Sequence, residues 1–308
     1  MVMSSDMTIL TYRGKMKNYN YYFNITDILI HVQIPFKITI QKESSNFISS
    51  IQGDDVLVKF IEINKSIDKK GQIVYKDSIN IYSIDGKFIY EFCPGPGIEP
   101  YAWFIAIDEF NFELRYLKGK ESYFEYSRNI MEVIDIVNLM NKKNAFLLHS
   151  SFIRWNGKAI LFSAPSGTGK STQAELWEKY EDADIINGDK AGVRKLEDGW
   201  MAYGLPFAGS SDIFRNEKAP ISHIIVLRQG KENKLHRLSL REAFIKIYSE
   251  TTLHTWDEEF QNNIINMITN LVQNVSIYQY ECLPDKSAVD FLKENIIKDD
   301  NLEKIYKD

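Results

Sequence analysis

The chain has 308 residues, 44% of them hydrophobic, 26% charged and 13% aromatic. That supply of apolar side chains excludes a disordered chain and, at roughly 100–200 residues per domain, suits about two cores. A formal net charge of −5 without any run of Lys and Arg excludes the basic stripe of a nucleic-acid binder. The two cysteines, Cys93 and Cys282, are far apart and exclude a disulfide framework or a thiolate metal cage.

The first residues, Met1-Val2-Met3-Ser4-Ser5-Asp6, carry no basic region ahead of an apolar stretch. No apolar run reaches the about 18 residues of a membrane helix. The expectation is a soluble, cytoplasmic protein with no membrane partner.

Taken in order, the first 125 residues read as β-rich. Ile28, Ile30, Val32 and Ile34 alternate with Leu29, His31 and Gln33, and Val56, Val58 and Phe60 repeat that period of two. Asp85-Gly86, between Ile81–Ile84 and Phe88–Phe92, marks a hairpin, because both turn positions favour positive φ. Pro94-Gly95-Pro96-Gly97 reads as a loop, and Tyr101–Ile107 and Phe110–Leu117 as strands. Ile130, Ile134 and Val137 recur at helical spacing, so one connecting helix is predicted over Ser127–Met140, within 126–141. An α/β domain follows over 142–298, and a charged tail over 299–308.

In that second part Phe146–Arg154 and Lys158–Ser163 flank Asn156-Gly157, another hairpin signal. Ser171–Tyr180 reads as a helix, and Ala183–Asn187 and His223–Arg228 as strands. Ser239-Leu240-Arg241-Glu242 has capping-box spacing, and Asp257 opens a helix with Phe260, Ile264, Ile268 and Leu271 on one face. Val275–Cys282 is a last strand, and Pro284-Asp285 starts a last helix through Asn295.

The strongest chemical signal is Ala164-Pro165-Ser166-Gly167-Thr168-Gly169-Lys170-Ser171-Thr172. It matches the P-loop (Walker A) pattern G-x-x-x-x-G-K-[ST] everywhere except its first position, where Ala164 replaces Gly. Gly167 and Gly169 let backbone N–H groups wrap around phosphates, and the helix that follows adds its free N–H groups and dipole. Lys170 can neutralise charge between β- and γ-phosphates, and Ser171 offers a hydroxyl to Mg²⁺. The cofactors this implies are ATP and Mg²⁺. A Mg²⁺ site also needs a carboxylate at a nearby strand end, and Asp189, after Ile185-Ile186-Asn187-Gly188, is the candidate. Asp212 and Glu217 are next in line. Arg215 and Arg228 are weaker phosphate candidates. His223, His236 and His254 show no ligand spacing, and Trp155, Trp177, Trp200 and Trp256 read as packing residues.

His149 on the preceding strand, the loop Ser166–Ser171, and Asp189 one helix later resemble the catalytic domain of HPr kinase/phosphorylase. That family belongs to the P-loop group with a phosphoenolpyruvate-carboxykinase-like fold. Gly204-Leu205-Pro206-Phe207-Ala208-Gly209-Ser210-Ser211, with Asn216 and Ala219-Pro220, resembles the more distant HPr-kinase-like proteins, some found in peptide-biosynthesis clusters. The resemblance spans Phe146–Leu292, about half of the chain. This sequence has Ser150 where that family has Gly after the His, and Gly188 where it has the first of two adjacent Asp.

The resemblance implies transfer of the γ-phosphoryl group of ATP to a hydroxyl, a serine of a peptide or protein. A small-molecule kinase and a non-catalytic nucleotide sensor stay open beside it. It implies that Asp189 either takes the acceptor proton or ligates Mg²⁺, and that His149 approaches the phosphates or Asp189. Ser210 and Ser211, after Gly209 in a stretch of small residues, suit close approach to an acceptor or phosphate. Homo-oligomer formation is left open.

Overall fold

The structure is a computed structural model. It describes residues 18–68, 71–207, 209 and 211–305, the side chains of 299–305 excepted. Its chain is mixed α/β, with two large sheets and seven α-helices among the described residues.

The first sheet holds β1 (Tyr19–Ile25), β2 (Ile28–Ile34), β3 (Val56–Ile63), β4 (Gln72–Lys76), β5 (Ile79–Ile84), β6 (Lys87–Phe92), β7 (Ala102–Ala106) and β8 (Asn111–Leu117). Their spatial order is β1-β2-β3-β8-β7-β6-β5-β4. β3 lies parallel to β2 and β8, and the other pairs are antiparallel. The Asp85-Gly86 hairpin forms, with φ of 50° and 76°. A second turn of this kind joins β1 to β2 through Thr26 and Asp27, at φ 55° and 57°. It carries no glycine, so the residue pattern does not announce it. The short helix α1 (Lys42–Ser45) lies between β2 and β3.

Where one connecting helix is predicted over Ser127–Met140, the chain forms two, α2 (Ser127–Val133) and α3 (Ile136–Lys142). Ile134 is extended, and the Asp135 carboxylate accepts the Asn138 N–H at 3.2 Å as the N-cap of α3. A capping Asp competes with continued helix by bonding the backbone locally.

The second sheet holds β9 (Ala145–Trp155), β10 (Lys158–Ser163), β11 (Asp184–Asn187), β12 (Lys190–Leu196), β13 (Gly199–Tyr203), β14 (Lys218–Gln229), β15 (Lys234–Arg237) and β16 (Ser276–Cys282). Strands β12 and β13 stand in a stretch that the residue pattern leaves without structure. The two long strands each serve three neighbours, and β11 is the third neighbour of β9. β9 pairs with β12 through His149 and with β10 from Ser150 onward. β14 pairs with β13 at its start, then lies parallel to β10 and β16. The pairings β10-β9-β12-β13-β14-β10 therefore close a circuit.

Four helices cover this sheet: α4 (Lys170–Glu181), α5 (Leu240–Ser249), α6 (Glu258–Asn274) and α7 (Lys286–Ile305). Trp177 of α4 and Val289 and Leu292 of α7 share one core with Ile160 and Phe162 of β10. Ile247 of α5 and Ile264 and Leu271 of α6 share another with Leu148, Leu161 and Ile224. The capping box at Ser239 and the Asp257 cap both form. Helix α7 runs to Ile305 rather than stopping at Asn295.

The core of the first sheet also takes in Ala145, Leu147, Leu205 and Phe214. The Thr26-Asp27 turn is part of the same join. Asp27 accepts a hydrogen bond from Tyr203 at 2.7 Å and an ion pair from Lys218 at 2.5 Å, and Arg194 donates to the Thr26 carbonyl at 2.5 Å. A Cβ on Gly192 would meet Thr26 Cγ2 at 2.5 Å, so only glycine admits the turn there.

Candidate active site

The motif residues meet because of the strand switch in β9. His149 is the last residue of β9 paired to β12, opposite Lys190, and Ser150 is paired to Ser163 at the end of β10. The Gly-rich loop leaves β10 directly after Ser163, and Asp189 stands just before β12. One junction thus carries His149, the loop and Asp189 together.

The loop turns into α4 with Gly167 at φ 78° and Gly169 at φ 116°. Neither glycine is crowded, so the positive φ is what demands glycine there. Ala164 is absent from the positive-φ residues and is fully buried, which explains why Ala replaces Gly at the first motif position. The Thr168 hydroxyl and N–H both turn back to the Pro165 carbonyl, at 2.9 and 3.3 Å. Gln229, at the end of β14, donates to the Gly167 carbonyl at 3.3 Å.

Gly169 is the N-cap of α4. No side chain caps this helix, and no acid stands in its first turn. By contrast α5 and α6 have capping side chains and acidic first turns. The first N–H groups of α4 and its positive dipole end can therefore receive an anion. Ser166, Ser171 and Thr172 are exposed around that end. Lys170 is buried, and its ammonium donates to the Ala164 carbonyl at 2.7 Å and, more weakly, to Pro165 at 3.4 Å. Burial pushes its pKa below the usual lysine range, while the carboxylates of Asp189 and Glu250 pull it back up.

Asp189 is held by its neighbours. Asn187, fully buried, accepts the N–H groups of Asp189 and Lys190 at 3.0 and 2.9 Å. Its amide donates to the Leu205 and Phe207 carbonyls at 3.1 and 2.9 Å, fixing the following loop to the same point. The Asp189 carboxylate stands 3.0 Å from His149 Nε2. His149 Nδ1 lies 3.5 Å from Glu250, at the end of α5. A protonated imidazole can donate to both carboxylates, and a neutral one to only one.

Glu250 is a site residue that the motif pattern misses. It arrives from a distant segment, and its backbone carbonyl accepts the His149 N–H at 2.9 Å. Nothing in local spacing points to it. Asn187 did carry a signal, since Asn-Gly-Asp is a turn-forming sequence.

Gly209 is packed against Asp189, and a Cβ there would press on its carboxyl carbon at 3.0 Å. Ser211 packs directly on Gly188. Ser210 lies outside the described residues. Beside this loop a chamber of about 450 Å³ opens, lined by Lys190, Phe207, Gly209 and Asp212 and, from the first part of the chain, by Glu43 and Arg128. Of the reserve carboxylates, Asp212 lines this chamber and pairs with Lys42 at 3.4 Å, and Glu217 pairs with Arg154 at 2.6 Å. Arg215 bonds Asp184.

The donor set fits a polyphosphate with a hard cation. Among the described residues no three His, Cys, Asp or Glu side chains converge as a protein-only cage. Ser171 and Asp189 are instead the oxygens this chain can offer to a cation already held by phosphates. No helix among the described residues is long and apolar enough to cross a membrane.

No protein-family model matches the chain, and no curated protein matches it in sequence. Among solved structures it is similar to the Hpr(Ser) kinase/phosphatase from Coxiella burnetii, at 10% identity and a TM-score of 0.31. That match covers 52% of this chain and 93% of the other. It is a weak likeness at the level of fold.

Proposed function

We propose that this chain is an ATP- and Mg²⁺-dependent phosphotransferase that moves the γ-phosphoryl group onto a hydroxyl, a serine of a peptide or protein. The observation that carries the reading is the Asp189–His149 pair, 3.0 Å apart, set beside the Gly-rich loop within reach of Lys170's charge. A surface glycine turn has no need of a buried lysine or of a carboxylate oriented by histidine.

Bound ATP·Mg²⁺ supplies the phosphoryl group and neutralises much of its charge. The uncapped first turn of α4 holds phosphate oxygens, and Lys170 leaves its loop carbonyls for them. Asp189 accepts the proton of the acceptor hydroxyl, or shares the cation. His149 donates through Nε2 and keeps the carboxylate aimed, while Glu250 steadies the other ring nitrogen. The acceptor oxygen takes the phosphoryl group, the bond to ADP breaks, and the proton passes from Asp189 to solvent. Most of the acceleration in such a reaction comes from positioning and charge.

The second reading is a small-molecule acceptor. What favours it is the chamber of about 450 Å³ beside Gly209, a size usual for small-molecule sites. Single-turnover transfer from γ-labelled ATP, offered peptide and metabolite pools separately, tests both. Label on a peptide serine supports the first, and label on a metabolite supports the second. Nucleotide binding with no transfer to either would leave a sensor.

A further inference from the structure

Lys190 opens β12 directly opposite His149 of β9. Directly opposed side chains leave a sheet on one face, so Lys190 shares a face with the histidine that holds Asp189. Two residues on, the same face carries Gly192, which abuts Thr26 of the first sheet's turn. On that face Lys190 lines the chamber of about 450 Å³. Its backbone is fixed, because Asn187 Oδ1 accepts its N–H at 2.9 Å. Gly209 joins the chamber to Asp189, since it lines the one and packs on the carboxyl of the other.

Five charged side chains line the chamber. Arg128 and Glu132 pair with each other at 3.0 Å, and Asp212 pairs with Lys42 at 3.4 Å. Lys190 and Glu43 are left without an ion pair or a side-chain hydrogen bond among the described residues. Lys190 is half-buried. An ammonium drawn from water without a counter-charge is costly, and no step of phosphoryl transfer uses it. Glu43 belongs to α1, on the first-sheet side of the chamber. The chamber is thus polarised, with its unmatched positive charge on the Asp189 side and its unmatched negative charge on the other.

We propose that the chamber selects its acceptor by a carboxylate next to the acceptor hydroxyl, and that Lys190 binds that carboxylate. The proposal rests on the phosphoryl-transfer reading and names what that site accepts. A charge-assisted hydrogen bond at a half-buried position favours such an acceptor over its amide. Glu43 on the far side disfavours a ligand that is anionic along its whole length. A peptide serine beside an acidic residue carries the required group, and so does free serine.

The test reads binding by NMR titration of the full chain and needs no transfer. The probes are end-blocked peptides with a central serine flanked by Asp or by Asn, and free L-serine against L-serinamide. One acidic member should bind at least about tenfold tighter than its amide, and the pair that shows this gives the source of the carboxylate. Lys190→Gln should erase that preference, and Lys190→Glu should turn it toward a peptide flanked by Lys. Neither change removes the N–H that Asn187 holds. No preference in either pair, including no binding at all, would overturn the proposal, as would a preference kept in both variants. A carboxylate preference without phosphoryl transfer would leave the recognition site standing and remove the transfer reading alone.

Discussion

Asp189 Oδ1 lies 3.0 Å from Nε2 of His149, where β9 leaves β12 for β10. Asn is nearly isosteric with Asp but accepts a proton poorly and holds no charge. Asp189→Asn should keep ATP binding within about tenfold, or 1.4 kcal/mol. Transfer should fall at least about a hundredfold, the lower end of what a positioned base contributes. Partial rescue by raised Mg²⁺ or by Mn²⁺ assigns Asp189 to the cation, and no rescue assigns it to the proton. Turnover near wild type in the variant removes both roles.

Lys170 is held in the fold against a desolvation cost. Its folded pKa lies below the unfolded value of about 10.4, so the fold gains stability as pH rises between the two. Lys170→Met should therefore leave the unliganded melting temperature within about 2 °C of wild type, or higher. Any advantage of the variant should shrink as pH climbs toward about 10. Added ATP·Mg²⁺ should raise the melting temperature of wild type only, because ligand stabilises a fold that binds it. An undiminished ATP-dependent rise in the variant excludes the phosphate role of Lys170.

Asp27 titrates the other way. Burial opposes its ionisation, but Lys218, Tyr203 and Arg194 outweigh burial and hold the carboxyl below the usual range. Its contribution to stability is complete above the unfolded pKa of about 3.9 and is lost as pH falls through the lower folded value. Asp27→Asn should lower the urea midpoint at pH 7, and that deficit should narrow as the pH drops below about 4. A deficit of constant size across the range would show that the charge is not what matters.

Gly192 and Thr26 form a steric pair, with 2.5 Å between Thr26 Cγ2 and a Cβ placed on the glycine. Gly192→Ala should cost about 1–3 kcal/mol, the scale of overpacking. Thr26→Ser removes that methyl group and should recover most of the loss in the double variant. Additive effects of the two changes, read from denaturation midpoints, would place the strain elsewhere.

The legible parts of the fold were those with punctuation. Asp85-Gly86 and Asn156-Gly157 announced hairpins, and Ser239 and Asp257 announced helix starts. The Thr26-Asp27 turn was silent because its strain is met by contacts with Arg194, Tyr203 and Lys218, far along the chain. The helix break at Ile134 was hidden by apolar spacing that runs on through it. In the site, fixed spacing exposed the loop, a strand-end carboxylate pointed to Asp189, and the family resemblance pointed to His149. Glu250 was hidden because tertiary packing alone brings it there.

The Thr26-Asp27 turn bonds residues 168, 176 and 191 positions away. During synthesis at about 5–20 residues per second, β1 and β2 leave the ribosome roughly 10–40 s before their partners exist. Through that interval Asp27 has no Lys218 or Tyr203 to meet it, and the apolar surface that Leu205 and Phe214 will cover stays open. The newborn chain is thus most exposed to sticking and to proteolysis early, and a slowed ribosome anywhere before residue 218 lengthens that exposure.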